Sequence, residues 1–352
     1  ASATVESVGG GQSFGGSGEV TQGTSANTIT EDGTYSGETY TSTGDDENAL
    51  RIDGAEAELK NISVDKSAGA SSNPEDGDFY GMNAAVLATN GAQVTISGAK
   101  ISSDAQNGNG VFSYGEGTVV TVSDTVISTA ADNSGGIQTT GGGTTNAENL
   151  TVSTKGNSSA AIRSDRGGGT VSVSGGSYAT AGYNSPAVYS TADITVKDAS
   201  LTAENSEALV IEGKNSITLE NCTVSGSISI TTTNKITVVG GLTGFTDQRA
   251  AITNCGTDVT VTADSGTGCA TVGGLSAWAS IRALFMNNYA LGDVNVTTTC
   301  TNYGNVGGAF GQVNGIVYNV YTAGNVTLTS LDTATYKPGA IAGDLASATY
   351  AD

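Results

Sequence analysis

The 352-residue chain has no histidine, and that absence removes Ser-His-Asp and Cys-His nucleophilic sites and His-ligated zinc. Any chemistry falls to carboxylates, Arg, Lys and Tyr. Cations are scarce as well. Thirteen Lys and Arg stand against 34 Asp and Glu, a net charge of −21, which argues against nucleic acid or an anionic membrane as partner, since both need clustered cations. No apolar run approaches the ~20 residues of a spanning helix, so no membrane insertion is expected. Three Pro and two Met complete the list of scarcities. Glycine is plentiful: 51 residues, about twice the usual ~7 % share. Hydrophobic residues still reach 37 %, too many for a disordered chain.

The apolar residues repeat. One column runs Val86, Val111, Ile137, Ile162, Val188 and Leu209, at spacings of 25, 26, 25, 26 and 21. A second holds Leu59, Ile96, Val122, Ala147, Val173, Val196 and Leu219, and a third Val64, Ile101, Ile127, Val152, Tyr178, Leu201 and Val224. Three columns per period predict three strands per coil. Around them apolar and polar residues alternate, as in Val171-Ser172-Val173, with β-branched residues dominant. Between the second and third columns stand Asn61, Gly98, Asp124, Asn149, Gly175, Asp198 and Asn221, the residue types that tolerate a left-handed backbone. A further file, Asn107, Asn133, Asn184 and Asn205, precedes the first column by four residues, with Asn157 displaced by one.

These features resemble the right-handed parallel β-helix of pectate-lyase-like proteins over residues 45 to 226. The wording from Ser185 to Val196 resembles extracellular β-helical adhesin-type proteins of bacteria. After residue 235 the repeat becomes Val239-Gly240-Gly241-Leu242, Val272-Gly273-Gly274-Leu275, Val306-Gly307-Gly308-Ala309 and Pro338-Gly339-Ala340-Ile341. It is similar to the GLUG repeat of bacterial surface proteins. The organisation expected is therefore a loose N-terminal cap or linker over 1–28, a parallel β-helix over 29–234 and GLUG-like coils over 235–352, all-β throughout. Helix is expected at most as a turn near Ser276 to Asn287.

If Val86 and its equivalents point inward, the next residue points out. That gives an external file of Arg51, Leu87, Phe112, Gln138, Arg163, Tyr189 and Val210, and two residues on another of Asp53, Thr89, Tyr114, Thr140, Asp165, Thr191 and Glu212. Phe112, Tyr114, Arg163, Asp165 and Tyr189 thus share one face, where rings can stack on sugars and charged groups can bond hydroxyls. The competing reading is an ordinary exposed sheet on which Arg163 pairs with Asp165. The acidic loops Asp45-Asp46-Glu47 and Glu75-Asp76-Gly77-Asp78 precede Leu50 and Val86, so stacking brings them together and can cradle Ca²⁺. Neither follows a known Ca²⁺-loop spacing, and an acidic surface loop needs no ligand. Thr95, Thr121, Ser172, Thr195 and Thr218 form an outward file on the second strand.

Of four cysteines, Cys222 occupies the small-residue station shared with Ala99 and Ala199, which suits a buried thiol, and Cys255 takes the station of Tyr289 and Tyr321. Cys269 and Cys300 each precede a Val-Gly-Gly by several residues and can meet on adjacent rungs, which leaves a disulfide between them open. The resemblance implies a secreted or surface-displayed bacterial binding module or stalk for a glycan or host protein, with a lyase-type polysaccharide enzyme and a plain spacer as alternatives.

Overall fold

The computed structural model describes residues 3–6, 19–211, 215–232, 237–246, 251–330, 336–345 and 349–351. The chain is a parallel β-helix: strand makes up 56 % of it and helix 2 %. It forms two compact units, one of residues 9–199 and 210–216, the other of residues 1–8, 200–209 and 217–352. Within the expected N-terminal cap, Ala3–Glu6 and Thr24–Ser25 are strands, and residues 7–18 lie outside the described residues, as does Glu212 of the external file.

In the first unit the apolar columns are lines of paired residues. Val86 stands in register with Val111, Val111 with Ile137, Ile137 with Ile162 and Ile162 with Val188. The second column pairs from Leu59 to Val196 and the third from Val64 to Tyr178, with no slip. Their side chains are buried, each a contribution of about 1.5–3 kcal/mol for a Val, Ile or Leu. The outward file Thr95, Thr121, Asn146, Ser172 and Thr195 pairs just as continuously and stays exposed or half-exposed. Register and repeat coincide because a strand's neighbour is the same strand one coil later.

The predicted corner residues all take the left-handed backbone, from Asn61 at φ 51° to Gly175 at 69° and Asn221 at 54°. In the other file Asn107, Asn133 and Asn184 do the same, but in the rung where Asn157 is displaced the left-handed residue is Ser158, at φ 52°. In these four rungs the left-handed backbone, not the amide, is what recurs, and Asn205 does not share it. Beside this file runs a serine ladder with no counterpart in the sequence reading: Ser134 N donates to Ser159 Oγ and Ser159 N to Ser185 Oγ, both at 2.9 Å.

In the second unit Val239, Val272, Val306 and Pro338 are in register, which makes the three Val-Gly-Gly segments and Pro338-Gly339-Ala340 successive rungs. The first glycine of each is required because the chain turns back at once, and the carbonyl three residues later occupies the space of a Cβ. In the three Val-Gly-Gly copies the second is required because the carbonyl of the following rung lies there, that of Gly274, Gly308 or Ala340. Asn254, Asn287 and Asn319 form an amide ladder, Asn287 Nδ2 donating to Asn254 Oδ1 at 3.0 Å and Asn319 Nδ2 to Asn287 Oδ1 at 2.9 Å. Cys269 and Cys300 are joined as a disulfide, with Cα atoms 5.4 Å apart. Ser276–Ala279 and Leu284–Ala290 are strands, so the turn of helix allowed there does not form.

Candidate functional site

The helix lies elsewhere. Pro74–Tyr80 form α1, the α-helix among the described residues, inserted between a third strand and the next first strand. Asn73 caps it, its Oδ1 accepting from Glu75 N at 3.2 Å. Pro74 supplies a preset φ where no N–H is needed, Glu75 and Asp76 sit in the positive first turn, and Gly81 ends it at φ 80°. These start and stop signals are legible in Asn73-Pro74-Glu75-Asp76 and Gly81. Seven residues are too few to display a helical period, so no periodicity marks them.

α1 is fastened onto the first-strand face. Gln138 Nε2 donates to Asp78 O and Thr140 Oγ1 to Phe79 O, both at 2.6 Å. Asn107 Nδ2 donates to Pro74 O at 3.0 Å and to Asp78 Oδ1 at 2.9 Å. A Cβ on buried Gly77 would lie within 2.5 Å of Asn107 Cβ and Nδ2, so the helix backbone rests directly on that side chain.

The expected external file is thereby corrected. Leu87, Phe112, Gln138 and Arg163 do point away from the Val86 column, but toward α1 and not toward water, whereas Arg51, Tyr189 and Val210 stay half-buried. Leu87, Phe112 and Gln138 are 0 % exposed and Arg163 9 %. Phe112 packs with Leu87 and Ala84 as a small core of its own, so it is sealed from any ligand. Tyr114 packs on the edge of that cluster and meets Tyr80 edge-on, ring centroids 5.7 Å apart.

Arg163, Asp165 and Tyr189 remain together, joined by Asp78 from α1. Arg163 Nη2 lies 2.7 Å from Asp165 Oδ2 and 3.2 Å from Asp78 Oδ2, and its Cζ lies 5.8 Å from the Tyr189 ring centroid. Burial alone would lower the guanidinium's pKa; the carboxylates of Asp78 and Asp165 outweigh it and raise the pKa further above its ordinary value. Burial in turn pushes Asp78 up, against the pull of Arg163. Arg166 covers the Phe79 ring, its Cζ 4.0 Å from the centroid. Beside this group opens a hollow of about 280 Å³ lined by Asp78, Asn133, Arg163, Asn184, Pro186 and Tyr189 among others. The carboxylates of Asp78 and Asp165 oppose loss of the Arg163 proton. The guanidinium can orient hydroxyl or carbonyl oxygens, and Tyr189 can offer part of its ring.

The acidic loops are engaged within the protein. Asp45 Oδ1 and Asp46 Oδ1 accept from the backbone N–H groups of Ala70 and Ser72, both at 2.7 Å, which ties down the loop leading to α1. Asp76 accepts from Asn73 Nδ2 at 2.8 Å, Asp78 turns inward to Arg163, and Glu75 is exposed. Among the described residues no group of three or more carboxylates and thiols converges as a metal site. Between these loops the Lys66 side chain is buried, its Nζ donating to Gly44 O at 2.5 Å and to Ser42 Oγ at 3.3 Å. Burial holds its pKa below the ordinary lysine value against the opposing pull of Glu47, Asp45 and Asp46.

No protein-family model matches the chain, and no curated protein aligns with it.

Proposed function

We propose that the chain is a secreted or surface-displayed bacterial binding module that recognises a glycan or host protein at the hollow beside α1. The observation that carries this reading is the assembly there of a guanidinium held by Asp78 and Asp165, the Asp78 carboxylate, the amides of Asn133 and Asn184 and the Tyr189 ring, a set suited to hydroxyl recognition with partial stacking. Phe112 and Tyr114 contribute from beneath, by seating α1. The Cys269–Cys300 disulfide supports an oxidising, extracellular location. The Val-Gly-Gly-Leu rungs, similar to GLUG repeats of bacterial surface proteins, support display on a cell surface.

The lyase alternative needs Arg163 to take a proton, and its two carboxylate partners oppose that. The test is a glycan and host-matrix array probed with wild type and Tyr189→Ala, with and without Ca²⁺. Tyr189 is half-buried and outside the apolar columns, so the variant keeps the fold. Binding reduced by tenfold or more is expected. Undiminished binding would remove the hollow as the docking site, and time-dependent release of unsaturated uronates by wild type would install the lyase reading.

A further inference from the structure

Cys222 and Cys255, 33 positions apart, hold one station on adjacent rungs. Thr223 pairs in register with Gly256, and the residues just before the two cysteines, Asn221 and Asn254, both turn the corner at φ 54°. The side chains are 3 % and 1 % exposed, and each thiol donates to the carbonyl two residues back, Glu220 O at 3.4 Å and Thr253 O at 3.3 Å. The sulfurs therefore leave the backbone in the same direction, one rung of ~4.8 Å apart. That spacing falls inside the roughly 4.4–6.8 Å Cα range that a disulfide spans. Burial, then the neighbouring Cys222 thiol, pushes the Cys255 pKa up to about 12. The following rung closes the column with Asn288, whose Oδ1 accepts from Cys255 N at 3.0 Å; the expected partner Tyr289 stands one residue on, in register with Gly256. The same unit already joins two rungs through Cys269 and Cys300, 31 positions apart.

The geometry points to a second cross-rung disulfide, Cys222–Cys255, formed with a low-molecular-weight disulfide such as oxidised glutathione as electron acceptor. One cysteine thiolate attacks a sulfur of the acceptor and expels a glutathione thiolate. The other cysteine thiolate attacks the resulting mixed disulfide at the protein sulfur and expels the second glutathione. The two protein thiols lose two protons and two electrons, and the acceptor leaves as two thiols. Because burial suppresses the thiolates in the packed rung, exchange takes place while that rung is still open during folding. Packing then shields the bond, which pins the first coil of the 33-residue repeat to the next.

The test refolds the full chain from the reduced, denatured state in a glutathione buffer, then denatures it without reductant in N-ethylmaleimide and reads the intact mass. Cleavage before aspartate puts each of the four cysteines on its own peptide. The expected result is no alkylation, with Cys222 and Cys255 peptides linked, and a single alkylated thiol, Cys255, in Cys222→Ser with Cys269–Cys300 retained. Two alkylated thiols at Cys222 and Cys255 in wild type, stable glutathione adducts there, or a link from either to Cys269 or Cys300 would overturn the proposal.

Discussion

Replacing Gly77 by Ala tests whether α1 is a seal seated on the coil or a loose surface turn. On propensity alone the change is favourable, since Ala exceeds Gly by about 1 kcal/mol in a helix. Against it stands the Asn107 side chain, within 2.5 Å of where the new Cβ would lie. Asn107 cannot withdraw freely, because its Nδ2 holds Pro74 O and Asp78 Oδ1 and its own backbone sits at φ 56°. Overpacking of this kind costs about 1–3 kcal/mol. If α1 lifts instead, the bonds from Gln138 and Thr140 are lost at about 0.5–1.5 kcal/mol each, and Phe112 is uncovered at about 1.5–3 kcal/mol. Overpacking is the cheaper route, and at its midpoint of about 2 kcal/mol it exceeds the propensity gain, so the expected net loss is about 1 kcal/mol. The melting temperature should fall, and chymotrypsin should cut after Phe79 or Tyr80 faster than in wild type. A variant that melts at or above the wild-type temperature with α1 still resistant would show that helix propensity decides at this position and that the helix does not bear on Asn107.

Three further outcomes are expected. Ile162→Asp places a carboxylate in an apolar column and should cost several kcal/mol, whereas Thr195→Asp on the outward file should cost well under ~1 kcal/mol; equal losses in denaturant melts would contradict the in/out phase. Arg163→Ala leaves Asp78 and Asp165 without their cation, at side-chain exposures of 18 % and 14 %, and should destabilise by about 3–5 kcal/mol; unchanged melting would make the pair a surface ornament. Lys66 has its pKa depressed in the fold, so its contribution is fully present above the ordinary lysine value and is lost as pH falls through the depressed one. Wild type should therefore gain stability relative to Lys66→Met as pH is raised toward ~10.4, and a flat or falling difference between the two melting curves would refute the buried-ammonium argument.

The sequence by itself determined the coil. In a parallel β-helix the partner of Val111 is the residue one period away, so the spacing that reveals the repeat is also the register, and Ile137 and Ile162 could be paired on paper. Corner residues were equally legible, because the left-handed backbone at Asn61, Asp124 or Asn149 is a local property of one residue. The Cys269–Cys300 link was only allowed by the rungs, because its separation of 31 differs from the 34 between Val272 and Val306, and the folded chain decided it. What the tertiary structure alone decided is which outward face meets water. Alternation says that Phe112 and Arg163 point away from the Val86 column, but not what lies over them. The cover is α1, whose anchors Asn107, Gln138 and Arg163 are 29, 60 and 85 positions away from their Asp78 partner atoms. No periodicity links them, since an inserted helix breaks the repeat and its docking depends on shape and charge brought together only once the rungs have stacked. The site thus shrinks from an open aromatic strip to a hollow at the helix edge, because burial of a side chain belongs to the folded chain and its direction to the strand.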